Sequence, residues 1–165
     1  EGSVGVEEIK GMEALPPALA RVATGQEIVM QENIPGTEVA VTLVTDKAGA
    51  VCVLPPAVIQ TEHAPFYDAL AKRREGRVRI VTADWQQDER LKKAVAAARA
   101  AYDELGCEGW ATFDFKVDAS GVKLLEVNSI PTFSAYTPFV HQLASAGTSP
   151  AALLDHLVEE RLTNG

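Results

Sequence analysis

The sequence predicts an α+β (or mixed α/β) fold in which a mainly antiparallel sheet is flanked by helices. Short runs of alternating β-branched and apolar residues, typical of strands, are interspersed with segments of helical periodicity. Tight turns join several of the strand-like runs, and such turns connect antiparallel neighbours. A length of 165 residues fits one domain, or one domain with part of another.

The first half of the chain is predicted to contain one helix and most of the strands. The helix covers residues 15–23, with Pro16 and Pro17 tolerated in its first turn. A turn at residues 46–49 (DKAG) joins two strands, and Pro55-Pro56 ends the second. The polar stretch 61–77 is predicted to be a long loop, either a lid or disordered. The predicted strands are a short one ending at Ile9 and residues 27–31, 38–45, 50–54 and 78–81.

The second half is predicted to contain the longest helix, a hairpin and two further helices. Asp84 and Gln87 form a capping box for a helix over residues 85–105, which Gly106 ends. Its apolar stripe consists of Leu91, Val95, Ala98, Tyr102 and Leu105. The hairpin strands cover residues 110–117 and 122–127, and Thr137-Pro138 and Ser149-Pro150 each announce a short helix.

The composition argues against several classes of binding partner. The net charge is −8 and no run of Lys or Arg occurs, so nucleic acid and anionic membranes are not expected partners. No apolar run reaches the roughly 18 residues needed to span a bilayer, and no signal peptide is recognisable. Cys52 and Cys107 lie far apart without zinc-like spacing, which indicates buried thiols in a reducing compartment and a cytoplasmic location.

The hairpin carries the polar residues of greatest chemical interest. A three-residue loop, Ala119 to Gly121, would set Asp114 opposite Glu126 and Thr112 opposite Asn128. These four side chains then share one face of the sheet, because side chains alternate along a strand. Two carboxylates placed opposite each other repel, unless a cation lies between them or one takes up a proton. Two carboxylates and an amide oxygen are suitable ligands for magnesium.

The opposite face of the hairpin is predicted to be apolar. Phe113 would face Val127 and Phe115 would face Leu125, which gives a layer for the core. The spacing alone is equally consistent with an acidic face whose charges spread into water. A one-residue shift in register would also separate the polar residues onto different faces.

The same residues closely resemble the C-terminal signature of D-alanine–D-alanine ligases, which belong to the ATP-grasp class. The signature segments are residues 106–110 (GCEGW), Asp114-Phe115 and residues 124–131 (LLEVNSIP). In that family an Asp on one strand and a Glu-x-Asn on the next bind magnesium ions that bridge ATP phosphates. The resemblance implies that Asp114, Glu126 and Asn128 bind Mg²⁺ (or Mn²⁺), with Asn128 also facing ATP.

Two segments resemble the parts of the family that hold the phosphates. Gly2-Ser3-Val4-Gly5 is similar to the end of its serine-rich phosphate loop, which implies that Ser3, Val4 and Gly5 donate backbone hydrogen bonds to phosphate. Residues 66–72 (FYDALAK) resemble its mobile lid, which makes Lys72 the implied catalytic cation. Taken alone, a terminal Gly-Ser-x-Gly is more often a frayed end, and a lysine in a charged loop is usually solvated.

A third segment resembles the part of the family that holds the nucleoside. Residues 31–38 (QENIPGTE) are similar to its adenine-binding hinge and ribose-binding glutamate. The resemblance implies that Gln31, Glu32 and Ile34 contact the adenine and that Glu38 accepts hydrogen bonds from the ribose. Taken alone, Glu38 is equally consistent with a surface residue beside a turn.

Several positions depart from the family pattern. The family has an arginine two residues before the metal aspartate, where this sequence has Thr112, and a glycine where this sequence has Thr132. The backbone amide of Thr132 remains a possible catalytic donor to an oxyanion. Tyr136-Thr137 replaces the usual His-Ser, and Arg73 replaces a lid tyrosine. These changes favour an altered acceptor amino acid beside a conserved nucleotide site.

The resemblance implies an ATP-grasp ligase that forms an amide bond through an acyl phosphate. Residues 1–165 would be its C-terminal nucleotide- and metal-binding region, a fragment without the N-terminal substrate domain. The expected partners are ATP and small amino acids, and the intact protein is expected to form a homodimer. Two other classes stay open: an ATP-binding module without catalysis, and a structural lobe whose last two helices form a subunit interface.

Overall fold

The structure is a computed structural model, and it describes residues 6–22, 27–46, 48–61 and 78–164. Four strands follow the first helix, a hairpin follows the second, and two helices come last. The strands are β1 (Thr37–Thr45), β2 (Val51–Val53), β3 (Ala57–Thr61), β4 (Val78–Thr82), β5 (Trp110–Asp118) and β6 (Gly121–Asn128), and the helices are α1 (Leu15–Val22), α2 (Glu89–Glu104), α3 (Pro138–Ser145) and α4 (Pro150–Asn164).

The described strands form one six-stranded sheet in the order β4-β3-β1-β5-β6, with β2 also paired to β1. Every pairing is antiparallel. The predicted architecture, an antiparallel sheet flanked by helices, is therefore confirmed. None of the described helices combines the length and the apolar character needed to cross a membrane.

Helix α2 covers one face of the sheet. The odd-numbered residues in the middle of β1 and along β5, among them Val41, Phe113 and Phe115, are buried against it. The predicted stripe on α2 is confirmed from Leu91 to Tyr102, whereas Leu105 is 61% exposed and does not take part. Burying a large apolar side chain contributes roughly 1.5–3 kcal/mol, so this layer, the larger of the two hydrophobic cores, stabilises the fold substantially.

Helices α3 and α4 cover part of the other face. Phe139 and Leu143 of α3 and Leu153 of α4 form a second core with Val44 of β1 and Leu54. Trp110 and Phe133 extend this core, with ring centroids 6.1 Å apart. Because this core lies at the Val44 end of β1, the helices leave the Glu38 end to polar side chains.

The start of α2 differs from the prediction. Asp84 caps only a short 3₁₀ turn (Trp85–Gln87), and its carboxylate accepts a hydrogen bond from the amide of Gln86. Asp88 then takes an extended conformation and caps α2 itself, accepting from the Arg90 amide at 2.8 Å. Asp88, four residues after Asp84, therefore sets the start of α2. Its extended backbone separates the 3₁₀ turn from the helix.

Three strand assignments also differ. The segments ending at Ile9 and covering residues 27–31 are not strands, although the second is rich in β-formers. Val29 and Met30 are 82% and 77% exposed, and strand propensity acts only where neighbours pack against the chain. In contrast, β3 begins directly after Pro55-Pro56, where no strand was predicted.

Candidate functional site

The even-numbered residues of β1 and β5 project onto the face that α3 and α4 only partly cover. They continue across β6, so the register of the three strands sorts the polar residues into cross-strand rows. From the helix-covered end outward, the rows are Thr42–Thr112–Asn128, Ala40–Asp114–Glu126 and Glu38–Lys116–Lys123. Successive rows lie about 7 Å apart, since a strand rises about 3.3–3.4 Å per residue.

The predicted pairing of the four hairpin residues is confirmed. Asp114 lies opposite Glu126 and Thr112 opposite Asn128. The side-chain nitrogen of Asn128 donates to Asp114 Oδ2 at 3.0 Å and to Glu126 Oε1 at 3.4 Å. The amide thus bridges the two carboxylates and offsets their mutual repulsion.

The turn that produces this register is not the predicted one. Asp118 pairs with Gly121 around a two-residue loop, and the Asp118 carboxylate accepts hydrogen bonds from Ser120 and Gly121. These hydrogen bonds hold the pKa of Asp118 below its ordinary value, the Ser120 hydroxyl being the strongest contributor.

A β-bulge then compensates for the shorter loop. The register shifts between Asp114 and Phe115, so that Phe115 faces Leu124 and the predicted pairing of Phe115 with Leu125 is wrong. Leu125 is the extra residue, and it is 46% exposed. The shorter loop and the bulge each move the register by one residue in opposite senses, which leaves Asp114 and Glu126 opposite each other.

The donor set fits a hard divalent cation. Asp114 and Asn128 are half-buried and Glu126 is exposed, so the site is open to solvent on the Glu126 side. Among the described residues, no three His, Cys, Asp or Glu side chains converge as metal ligands, and here the third donor is an amide. Magnesium prefers such a site, because it keeps water and phosphate oxygens in its shell. The Asn128 amide would turn to present its oxygen to the metal.

Glu38 lies in the row next to Asp114 and Glu126 and lines a cavity of about 340 Å³. Its carboxylate forms an ion pair with Lys116, with 3.0 Å between Oε1 and Nζ. Sequence reasoning missed Lys116, although its alternation with Asp114 along β5 indicates the shared face. The cavity is lined by Gly36, Thr37, Glu38, Lys116 and residues 58–61.

The hinge residues precede this cavity. Gln31 and Glu32 are exposed and Ile34 is half-buried in a segment without regular structure. Gly36 ends the segment with a φ of +125°, and a Cβ there would come within 2.9 Å of the Val117 carbonyl. Only glycine allows this close approach, which brings the segment to the edge of the cavity. Ser3, Val4, Gly5 and Lys72 lie outside the described residues.

Thr112 occupies a closed polar network rather than an open site. It is 5% exposed and its hydroxyl lies 2.8 Å from that of Thr42, which donates to Gln142 Oε1 at 2.7 Å. Gln142, fully buried on α3, donates in turn to the Ala40 carbonyl at 3.1 Å. Sequence reasoning missed Thr42 and Gln142. The feature that could have indicated Gln142 is its position as a single amide between Phe139 and Leu143 on the buried face of α3.

Thr132 lies on the loop between β6 and α3. The Thr137 hydroxyl, predicted to cap α3, instead contacts the carbonyls of Thr132 at 2.9 Å and Ser134 at 2.8 Å. Thr137 thereby stiffens the loop that follows Asn128, while Thr132 itself stays exposed. Ser149 does cap its helix, accepting from the Ala152 amide at 3.2 Å.

An antiparallel sheet that presents an Asp, a Glu-x-Asn and a cavity-lining Glu on one face has the architecture of the ATP-grasp class. The chain belongs to the D-alanine–D-alanine ligase family, because the family model described as the D-Ala–D-Ala ligase C-terminus matches residues 1–159.

Individual relatives agree with this assignment. The D-alanine–D-alanine ligase of Mannheimia succiniciproducens is 30% identical over 95% of this chain and 50% of its own length. That of Gluconobacter oxydans is 32% identical over 97% of this chain and 52% of its own. The structure of the Bacillus anthracis ligase complexed with ATP matches 98% of this chain and 51% of that one, with a TM-score of 0.73 and 25% identity. The chain spans about half the length of the relatives it matches.

Proposed function

We propose that the intact protein is an ATP-dependent ligase that joins two amino acids through an amide bond, with D-alanine as the first substrate to test. The observation that carries the proposal is the convergence of Asp114 and Glu126, one row away from Glu38, with Asn128 of the next row. This spacing suits a nucleotide that runs along the sheet, with its ribose at Glu38 and its phosphates beside the two carboxylates.

The nucleoside end of ATP would occupy the cavity that Gly36 and Glu38 line, just after the hinge segment. Gln31, Glu32 and Ile34 would contact the adenine, and the Glu38 carboxylate would accept hydrogen bonds from the ribose hydroxyls. The position of Gly36 against β5 supports this, because it joins the hinge segment to the cavity rim. The family resemblance adds Ser3, Val4, Gly5 and Lys72 as donors to the phosphates.

Asp114, Glu126 and Asn128 would hold Mg²⁺, or Mn²⁺ in its place. A bound ion supplies Lewis acidity and neutralises the charge of the phosphates. The contribution of the chain itself is to fix two carboxylates on paired strands, so that little reorganisation is needed when the nucleotide arrives.

A second candidate is a ligase of the same chemistry that uses a different acceptor amino acid. The burial of Thr112 favours it, because the family arginine would place a positive charge there whereas the Thr112 hydroxyl is engaged by Thr42. The backbone amide of Thr132, on the loop that Thr137 holds, would remain as a donor to an oxyanion.

The proposed location is the cytoplasm, where ATP is available and free thiols persist. Cys52 and Cys107 are both free, which suits a reducing compartment, although the prediction that they are buried is wrong: Cys52 is exposed and Cys107 is half-buried. A D-alanyl-D-alanine product would connect the protein to peptidoglycan biosynthesis.

The test is phosphate release by the intact protein with ATP and Mg²⁺, measured with D-alanine and then with other D- and L-amino acids. We expect release that depends on D-alanine, reduced about 100-fold or more by Asp114→Asn, since even residues behind a metal ligand contribute 10–100-fold. Release with a different amino acid alone would favour the second candidate. ATP binding without amino-acid-dependent release would contradict both and indicate a binding module.

A further inference from the structure

Lys116 occupies an unusual position for a lysine. It lies directly across from Glu38 in the β1–β5 pairing, and the two charged groups are 3.0 Å apart. The side chains are only 15% and 19% exposed, so both charged groups are largely removed from water. Burying a charged lysine costs free energy unless an opposite charge lies beside it. The Glu38 carboxylate supplies that charge.

Lys116 has a second charged neighbour, Lys123, and the two lysines lie in different surroundings. Lys123 lies across from it on β6, and like charges directly opposite each other destabilise a sheet. Lys123 is exposed and can turn into water, whereas Lys116 is directed into the cavity that Glu38 also lines. The Glu38–Lys116 pair is therefore a feature of the cavity rather than of the sheet surface.

We propose that Lys116 is a positioning residue for ribose recognition, a proposal that rests on the nucleotide-binding function proposed above. The ammonium engages Oε1 of Glu38 and so holds the long glutamate side chain in one orientation. Each carboxylate oxygen has two acceptor sites, so the rest of the carboxylate is presented to the 2′ and 3′ hydroxyls of a ribose. A nucleotide without the 2′ hydroxyl leaves one of these acceptors unmatched.

Lys116 thereby determines how strongly the site prefers ATP to 2′-deoxy-ATP. A glutamate without this partner would sample several rotamers and would have to be ordered when the nucleotide binds. The preference for the 2′ hydroxyl, more than overall affinity, is the property that depends on the ion pair.

The experiment measures the Kd of the intact protein for non-hydrolysable ATP and 2′-deoxy-ATP analogues by calorimetry. Lys116→Met keeps the length of the side chain and removes its charge, and we expect it to reduce the preference for the ribonucleotide about tenfold. Lys116→Arg should keep the preference within about threefold, because it preserves the ion pair. Glu38→Gln should lose as much preference as Lys116→Met.

Lys123→Met is the matched control, since it removes the opposing lysine from an exposed position. We expect it to leave the preference unchanged. The proposal is overturned if Lys116→Met lowers the melting temperature but keeps the preference, or if Glu38→Gln loses the preference while Lys116→Met does not. Because binding is measured without turnover, a wild-type protein that discriminates the two analogues but releases no amino-acid-dependent phosphate would contradict the ligase proposal alone.

Discussion

Asn128 makes it possible for two acidic side chains to face each other across β5 and β6. Its amide donates to both Asp114 and Glu126, which places a partial positive charge where a cation is proposed to bind. Ala40, the β1 neighbour of Asp114, is fully buried, so this row is open to solvent on its β6 side, where Glu126 is exposed.

Gln142 has a comparable role in the adjacent row. Its amide joins α3 to the hydroxyl of Thr42 and the carbonyl of Ala40, all of them buried. Gln142 is thus the polar link between α3 and β1, the strand beside Asp114.

Gln142→Leu is predicted to destabilise the protein by about 2–4 kcal/mol, because it leaves a buried hydroxyl and a buried carbonyl without this partner. Urea unfolding of the variant measures the change. His141→Ala, at an exposed position on the same helix, is the control and should stay within about 0.5 kcal/mol of the wild type. A Gln142→Leu variant as stable as the control would show that the network does not hold α3.

Among the elements, α2 depends on the cap at Asp88. The Arg90 side chain, followed by the Arg90 amide, lowers the pKa of Asp88 from 3.8 to about 2. Since the pKa is lower in the folded state, the stabilisation is fully present above pH 3.8 and is lost as the pH falls through about 2.

Asp88→Ala is therefore predicted to lower the melting temperature at neutral pH, with a deficit that shrinks between pH 3.8 and 2. Thermal unfolding monitored by circular dichroism across this range provides the measurement. Asp84→Ala, which removes the cap of the 3₁₀ turn alone, should cost less at neutral pH. A deficit for Asp88→Ala that is independent of pH would mean that the ionised carboxylate is not the stabilising group.

The bulge at Leu125 gives a prediction for the hairpin. Deleting Leu125 removes the extra residue but leaves Leu124 opposite Phe115 and Glu126 opposite Asp114. Magnesium-dependent binding of an ATP analogue should therefore survive the deletion. As a control, an alanine inserted between Val127 and Asn128 moves Asn128 out of register and should abolish that binding. Loss of binding in a folded Leu125 deletion would mean that the bulge itself aims Glu126.

Sequence patterns predicted this hairpin well at its polar end and poorly at its turn. The pairing of Asp114 with Glu126 agrees with the prediction because the two-residue loop and the bulge at Leu125, neither of which was predicted, shift the register in opposite senses. The turn was not predictable, because Gly121 suits a two-residue and a three-residue loop alike, and the choice depends on hydrogen bonds to Asp118.

Long-range contacts were beyond the reach of local patterns. Thr42 and Gln142 are 100 residues apart, and only the packing of α3 on the sheet brings them together. The exposed segment at residues 27–31 shows the converse, since its strand-like composition has no described strand to pair with.

At the scale of the whole molecule, the two faces of the sheet have different roles. The face under α2 is apolar and holds the larger of the two hydrophobic cores. The other face changes along the strands from the α3–α4 core, through a buried polar row, to the acidic row and the cavity. The charged groups therefore lie at the open end of the sheet. A nucleotide and a metal ion can be held there without disturbing the core.

The most direct test is a crystal structure of the intact protein with Mn²⁺ and a non-hydrolysable ATP analogue, using the anomalous signal of manganese. The predicted result is a peak within about 2.5 Å of carboxylate oxygens of Asp114 and Glu126, with the Asn128 amide turned so that its oxygen faces the metal. A bound nucleotide whose manganese lies elsewhere, with these three side chains directed away from it, would contradict the proposed site.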